Sequence, residues 1–185
     1  MASSIQRLRE KLCRELAQSE HDAIIHCCRE ASRYGAQAPG QVLRVIADHA
    51  RELRPRLTHL WGAKQPVGIR AARAVGELFS AVRHFAVDWM IDAERSYRAT
   101  LLGLEHGMGV ARLLREVFVQ QQDYNALKVC DELLEGRTRL LARAADRLRW
   151  FAEHPDVALR SSRGKVRARS RRAAQPRVSA SQGVR

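Results

Sequence analysis

The sequence predicts an all-α protein, an up-and-down helical bundle followed by a basic C-terminal tail. Apolar residues recur at spacings of three and four in every segment between glycine and proline pairs, and no segment alternates as a β-strand would. Aromatic residues make up only 5% of the chain, while Ala, Leu and Arg abound, which favours helices over sheets. The breakers between segments are short, so we expect neighbouring helices to run antiparallel.

Glycine-rich breakers bound the first two helices. The first is predicted over residues 4–34, ending before GAQAPG, and the second over residues 41–61, ending before GAKQPVG. On the first helix Leu12, Leu16 and Cys27 are expected to face the interior, because they share one stripe of the helical wheel.

The remaining helices lie on either side of a further glycine-rich stretch. The third is predicted from residue 69 to at least residue 104, and the glycines Gly103, Gly107 and Gly109 are expected to kink or end it or to allow close helix packing. Residues 110–120 then either continue this helix or form a short one of their own. The last helix is predicted over residues 126–153, between QQDYN and the His154-Pro155 pair. The bundle domain therefore spans residues 4–155.

The stretch HDAIIHCCRE, residues 21–30, has the composition of a metal site or a catalytic cluster. Each helical residue advances by about 100°, so with Ile24 at the centre of the buried stripe Cys27 and Cys28 fall inside it. His26 and Glu30 then fall on the solvent face. The cluster is thus predicted to be divided between two faces, and all four cysteines, in the absence of any CxxC pair, are expected to be reduced thiols.

Four polar residues lie on faces where apolar residues are expected. Glu20, His49 and Arg137 fall within the apolar stripes of their helices, and Glu94 lies at the edge of one. Buried charges are costly unless they are paired, so we expect these residues either to contact one another or to open onto a cavity. A buried polar network with Glu20 and Arg137 as charge partners is one interpretation; a metal or small-ligand site in the core is the other.

This arrangement resembles the ferritin-like four-helix bundles, in which carboxylates and carboxylate-x-x-His pairs meet in the core. Glu20 and Glu94 match the first- and third-helix carboxylates of that family. The resemblance implies a metal site, but the sequence contains no Glu-x-x-His, and Arg137 would place a positive charge beside the metals. The resemblance therefore favours a ferritin-like shape over a di-iron activity.

No motif for catalysis is present. The sequence has no phosphate-binding P-loop and no nucleophile paired with a base at a recognised spacing. We therefore predict no catalytic residues, no cofactor and no metal ligands, and expect a non-enzymatic protein.

The C-terminal segment differs in composition from the rest. Residues 156–185 are predicted to be a disordered tail, because their apolar content is too low to offset the entropy of ordering. Residues 160–185 contain nine basic and no acidic residues, whereas the other 24 basic residues of the chain are accompanied by 20 acidic ones. The residues predicted to bind a polyanion are Arg160, Arg163, Lys165, Arg167, Arg169, Arg171 and Arg172.

The nature of the partner remains open at this point. Nucleic acid and other polyanions fit the charge of the tail, although the tail has no aromatic residue for base stacking; a solubilising role is the alternative. We also expect self-association, and a structural assembly subunit is a third hypothesis. The sequence lacks an apolar run of about 20 residues and a secretory signal, so a cytoplasmic location without a transmembrane segment is predicted.

Overall fold

A computed structural model of the chain describes residues 3–60 and 92–161. The predictions made for residues 61–91, which include most of the third helix, and for residues 162–185, which include most of the basic tail, lie outside these ranges. Within the described part the protein is all-α, and the only extended pairing is an isolated bridge between Asp92 and Ser161.

Four long helices and two short ones form the described structure. The long helices are α1 (Ser4–Tyr34), α2 (Ala38–Leu60), α3 (Ala93–Gln121) and α4 (Tyr124–Asp146). The short helices α5 (Leu148–Glu153) and α6 (Pro155–Ala158) follow α4. A helical bundle is thus confirmed, and the bounds of α1 agree with those predicted from the sequence.

Local sequence explains where the helices begin and end. The side chain of Ser3 accepts a hydrogen bond from the N–H of Gln6 and so caps α1, while Gly35, at a φ of 60°, ends it. The side chain of Asp123 caps α4 in the same way by accepting from the N–H of Ala126. At the end of α4 the helix breaks at Arg147, so the single helix predicted over residues 126–153 is in fact α4 followed by α5.

One expectation for α3 was wrong, and one question left open by the sequence is decided. The helix begins at Ala93 after an extended Asp92, with ψ at 152°, so it does not run unbroken from residue 69. It continues without interruption through Gly107 and Gly109 to Gln121. Of the alternatives for Gly107, close helix packing agrees with the structure, because a Cβ there would overlap the side-chain oxygen of Ser19 on α1. A glycine inside a helix costs about 1 kcal/mol relative to alanine, which close helix packing can offset.

The long helices are arranged as a square in which each packs against two neighbours, in the order α1, α2, α4, α3. Tyr34, at the end of α1, contacts Ala93 at the start of α3, so these two helices run antiparallel. Since α1 and α2 also form an antiparallel hairpin, α2 and α3 run in the same direction and occupy diagonally opposite corners of the square. Residues 61–92 therefore connect opposite ends of the bundle.

The core consists of two hydrophobic clusters stacked along the bundle axis. The upper cluster, at the end where α1 terminates, includes Tyr34, Tyr97 and Phe151 together with many alanines. The lower cluster is built mainly from aliphatic side chains, among them Leu16, Leu57 and Leu114, with Phe118. Of the helices in the described ranges, none has the length and hydropathy needed to cross a bilayer.

Candidate functional site

A buried ion pair lies where the two core clusters meet. Nη2 of Arg137 donates to Oε2 of Glu20 at 2.7 Å, and the two residues are only 1% and 3% exposed. Along α1, Glu20 lies between Leu16 of the lower cluster and Ala23 of the upper cluster. Along α4, Arg137 lies between Leu133 of the lower cluster and Leu140 of the upper cluster. Because α1 and α4 are diagonal in the bundle, the long side chains meet across its centre.

Burial dominates the electrostatics of this pair. Loss of water raises the pKa of Glu20, and the attraction and hydrogen bond of Arg137 offset only part of that effect. A buried ion pair of this kind contributes little net stability, but removing one partner leaves a charge in the core without compensation. The pair therefore constrains which residues can face one another at the middle of the bundle.

His49 of α2 lies beside the pair and is half-buried. Its Nε2 occupies the space that a Cβ at Gly136 would take, so the glycine allows the ring to pack against α4. Burial lowers the pKa of His49, and the charges of Arg137 and Arg139 lower it further, so the imidazole is neutral at pH 7. Nδ1 of His49 and Nε of Arg137 are both buried, and neither has a hydrogen-bond partner among the described residues. We call Glu20, His49, Gly136 and Arg137 the polar layer.

Glu94 is not part of the polar layer. Its carboxylate accepts hydrogen bonds from Nε and Nη2 of Arg98 at 2.7 and 3.1 Å, and the hydrogen bond to Arg98 lowers its pKa. On α3, Gly107 lies at the level of the polar layer, because it faces Ser19, the neighbour of Glu20 in sequence. Glu94 precedes Gly107 by thirteen residues, so it lies about 20 Å from that level along the helix. The structure thus brings three of the four predicted residues together and leaves the fourth near the end of the bundle.

The stretch at residues 21–30 is divided between faces, but one assignment within it was wrong. Glu30 was expected in water and is in fact 4% exposed, where it accepts from Nη1 of Arg33 and lies 3.4 Å from the hydroxyl of Tyr34. The buried arc of α1 is centred on Cys27, about 60° from Ile24, because α1 packs between two helices. The small residues Ala23, Cys27 and Ala31 mark that centre.

The buried thiols are not activated. Burial raises the pKa of Cys27 and Cys130 to about 12 and that of Cys13 to about 11, so these groups are protonated near neutral pH. All four cysteines are free. Cys28 is only partly buried, and Nη2 of Arg51 lies 2.7 Å from its sulfur.

The arrangement of donor atoms does not resemble a ferritin-type metal centre. Within residues 3–60 and 92–161, no three His, Cys, Asp or Glu side chains are placed to hold one metal ion. The position beside the buried carboxylate of Glu20 is filled by the guanidinium of Arg137. A cation next to Arg137 would meet its positive charge, so the residues present do not fit a di-metal site.

In the part of the bundle formed by residues 3–60 and 92–161, grooves open between neighbouring helices. One, of about 460 Å³, lies between α2 and α4 and is lined by His49, Gly136, Arg139 and Arg143, among others. A second, of about 340 Å³, lies between α1 and α3 and is lined by the carboxylates of Glu15, Asp22 and Glu30 and by His26 and His106. We call the second one the acidic groove. Sequence reasoning missed it because it combines residues from two helices.

Of the seven residues predicted to bind a polyanion, the described structure contains Arg160, which is exposed directly after α6. The other six lie outside the described residues. No protein-family model matches the chain, and comparisons with curated proteins and with solved structures give no significant match.

Proposed function

We propose that this protein is a non-enzymatic, helical-bundle binding protein whose basic C-terminal segment, residues 160–185, contacts nucleic acid or another polyanion. The observation that carries the proposal is the contrast in charge pairing between bundle and tail. In the bundle, arginines of different helices are matched with acids, as in Arg56–Glu132 between α2 and α4 and Arg115–Asp131 between α3 and α4. The C-terminal segment contains nine basic residues and no acid with which they could pair.

The chemistry of such a segment defines what it binds. Neutralising phosphates releases condensed counterions, so the affinity falls steeply with salt and depends little on base sequence. Because the segment lacks aromatic residues, stacking on single-stranded bases does not add to this affinity. The proposed ligand is therefore a polyphosphate backbone, of which DNA and RNA are the leading examples.

A charge-neutralised variant of the full chain tests this proposal. Replacing Arg160, Arg163, Lys165, Arg167, Arg169, Arg171 and Arg172 with Gln should abolish DNA binding and leave the helical circular dichroism unchanged. A matched control replaces seven exposed basic residues of the bundle, Arg7, Lys11, Arg54, Arg95, Arg112, Arg143 and Arg147, and so changes net charge equally. Seven phosphate contacts predict a slope of about −6 for log affinity against log salt. Binding that survives in the tail variant and is lost in the control contradicts the proposal.

A ferritin-like ligand-binding protein is the second candidate. The connectivity supports it, because ferritin-like folds also join two antiparallel helix pairs by one long connection that runs from one end of the bundle to the other. The test is metal analysis of the purified protein: stoichiometric iron, manganese or zinc that is lost on Glu20→Ala favours this candidate over the first.

An assembly subunit is the third candidate, and two exposed side chains favour it. Leu102 and Leu113 of α3 are 69% and 49% exposed, and eleven residues of helix place them within about 20° of one another on one face. A second copy that covers this face would produce a homo-oligomer. This candidate is supported if the molar mass of the wild-type chain rises with protein concentration and that of Leu102→Glu stays at the monomer value.

A further inference from the structure

The acidic groove is suited to a cationic occupant. Among the described residues no lysine or arginine lines it. Glu30, at its upper end, is already paired with Arg33. The carboxylate of Glu15 lies 3.4 Å from Nε2 of His106, and that of Asp22 accepts a hydrogen bond from Nε2 of Gln18 at 2.8 Å. Both of these carboxylates are partly exposed, so within the part of the chain that the structure describes a guanidinium or ammonium group can approach them from the groove.

The described chain ends close to this groove. Ser161 forms an antiparallel bridge with Asp92, which immediately precedes α3. Ser96 lies one helical turn further on, where its N–H donates to the carbonyl of Asp92 at 3.0 Å, and Ser96 lines the upper end of the groove. The basic segment thus begins about one helical turn from the groove.

The sequence of the segment matches the groove in charge and length. In Arg163 to Arg171 a basic residue occurs at every second position, and in an extended chain such residues project from one side. The groove extends from Glu30 to Glu15 of α1, fifteen residues or about 22 Å. Ten extended residues span about 33 Å, so residues 163–172 are long enough to follow its whole length.

We infer that residues 163–172 of the same chain dock in the acidic groove, with their cations against Asp22 and Glu15. Docked in this way, the segment is shielded from polyanions, and a polyanion must compete with the groove to bind it. The docking follows from the position and charge of the groove; its regulatory consequence rests on the proposed function.

Carbodiimide coupling of the full chain tests the docking, because it joins a carboxylate to an amine only when the two are in contact. Lys165 lies four residues after Ser161, within about 13 Å of backbone. Asp22 lies eight residues, about 12 Å, along α1 from the upper end of the groove at Glu30. We expect mass spectrometry to find an amide between Lys165 and Asp22, with Lys128–Glu132 of α4 as the internal positive control.

Two outcomes overturn the docking. One is the absence of a Lys165–Asp22 product while the Lys128–Glu132 product forms. The other is a product whose yield rises with protein concentration, which would place the segment in the groove of a second copy.

DNA affinity tests the competition. The double substitution E15Q/D22N should release the segment and tighten binding of single-stranded DNA about fivefold or more, relative to E52Q/E105Q, a control with the same net charge. Both control residues are exposed and lie outside the acidic groove. Equal affinities of the two variants overturn the competition even if the amide forms. If the full chain binds no DNA, the proposed function fails while the coupling experiment still decides the docking.

Discussion

The two halves of the core are stabilised in different ways. In the upper cluster the rings of Tyr34, Tyr97 and Phe151 are mutually in contact, with centroids 5.2 to 5.9 Å apart. The hydroxyls of Tyr34 and Tyr97 also donate to the carbonyls of Ala93 and Ala144. In the lower cluster most of the buried side chains are aliphatic, among them Leu16, Leu57 and Leu114, and the ring of Phe118 lies under the guanidinium of Arg9 at 5.0 Å.

This difference assigns separate roles to the two halves. Aromatic contacts and buried hydrogen bonds have defined geometry, so the upper half fixes how α1, α3, α4 and the short α5 meet. Aliphatic burial is non-directional and contributes mainly free energy. The polar layer lies between the two clusters, and its ion pair joins α1 to α4 across the centre of the bundle.

The largest effect is expected at the polar layer itself. Arg137→Met leaves the carboxylate of Glu20 buried beside an apolar side chain, and we expect a loss of about 3–5 kcal/mol in the free energy of unfolding. The double variant Glu20→Leu with Arg137→Met should recover most of that loss, because neither charge then remains. Urea unfolding followed by circular dichroism measures both. A double variant as unstable as the single one would show that the pair itself contributes net stability.

A core substitution in the lower cluster is expected to come next. Leu114 is fully buried, and Leu114→Ala should cost about 3 kcal/mol through lost burial and the cavity left behind. In the upper cluster Tyr97→Phe keeps the ring and removes only the hydrogen bond to Ala144, so about 1 kcal/mol is expected. Urea unfolding of both variants compares the two halves. If Tyr97→Phe costs more than Leu114→Ala, the division of roles described above is wrong.

Much of this architecture was accessible from the sequence. The bounds of α1 follow from apolar periodicity, a serine cap and a glycine stop, which are all local signals. Glu20 and Arg137 were singled out because each lies on the apolar face of its helix, and the structure places them in contact.

The errors have physical causes. Centring the wheel of α1 on its largest apolar residue, Ile24, misplaced Glu30, because small residues mark the closest approach of two neighbouring helices. The start of α3 was missed although Asp92, at the N-cap, and Glu94, in the first turn, form a recognisable start signal. The acidic groove depends on the register between α1 and α3, and periodicity within one helix carries no information about that register.

The smallest effect we expect is a pH dependence that arises in the polar layer. The folded-state pKa of His49 lies below its ordinary value, so on acidification the unfolded chain takes up this proton first. The contribution of neutral His49 is complete above about pH 6.5 and decreases as the pH falls towards the folded pKa. Glu20 changes the stability in the opposite sense. Because its pKa is raised in the folded state, the folded chain takes up this proton before the unfolded chain does, at pH values above about 4.5.

Comparison with His49→Gln isolates the histidine from Glu20 and from the other titrating groups. Between pH 7 and pH 5.5 the free energy of unfolding of the wild-type chain should fall more than that of the variant. The groups that face the ring are Arg137 and Arg139, which stay charged throughout this range, and Asp48 and Glu52, which line the same groove. If the two proteins lose stability equally, His49 titrates alike in the folded and unfolded chains, and its pKa is not lowered by folding. The charge of Arg137 would then be balanced differently from the arrangement described here, and the boundary between the two core clusters would lie in a more hydrated environment.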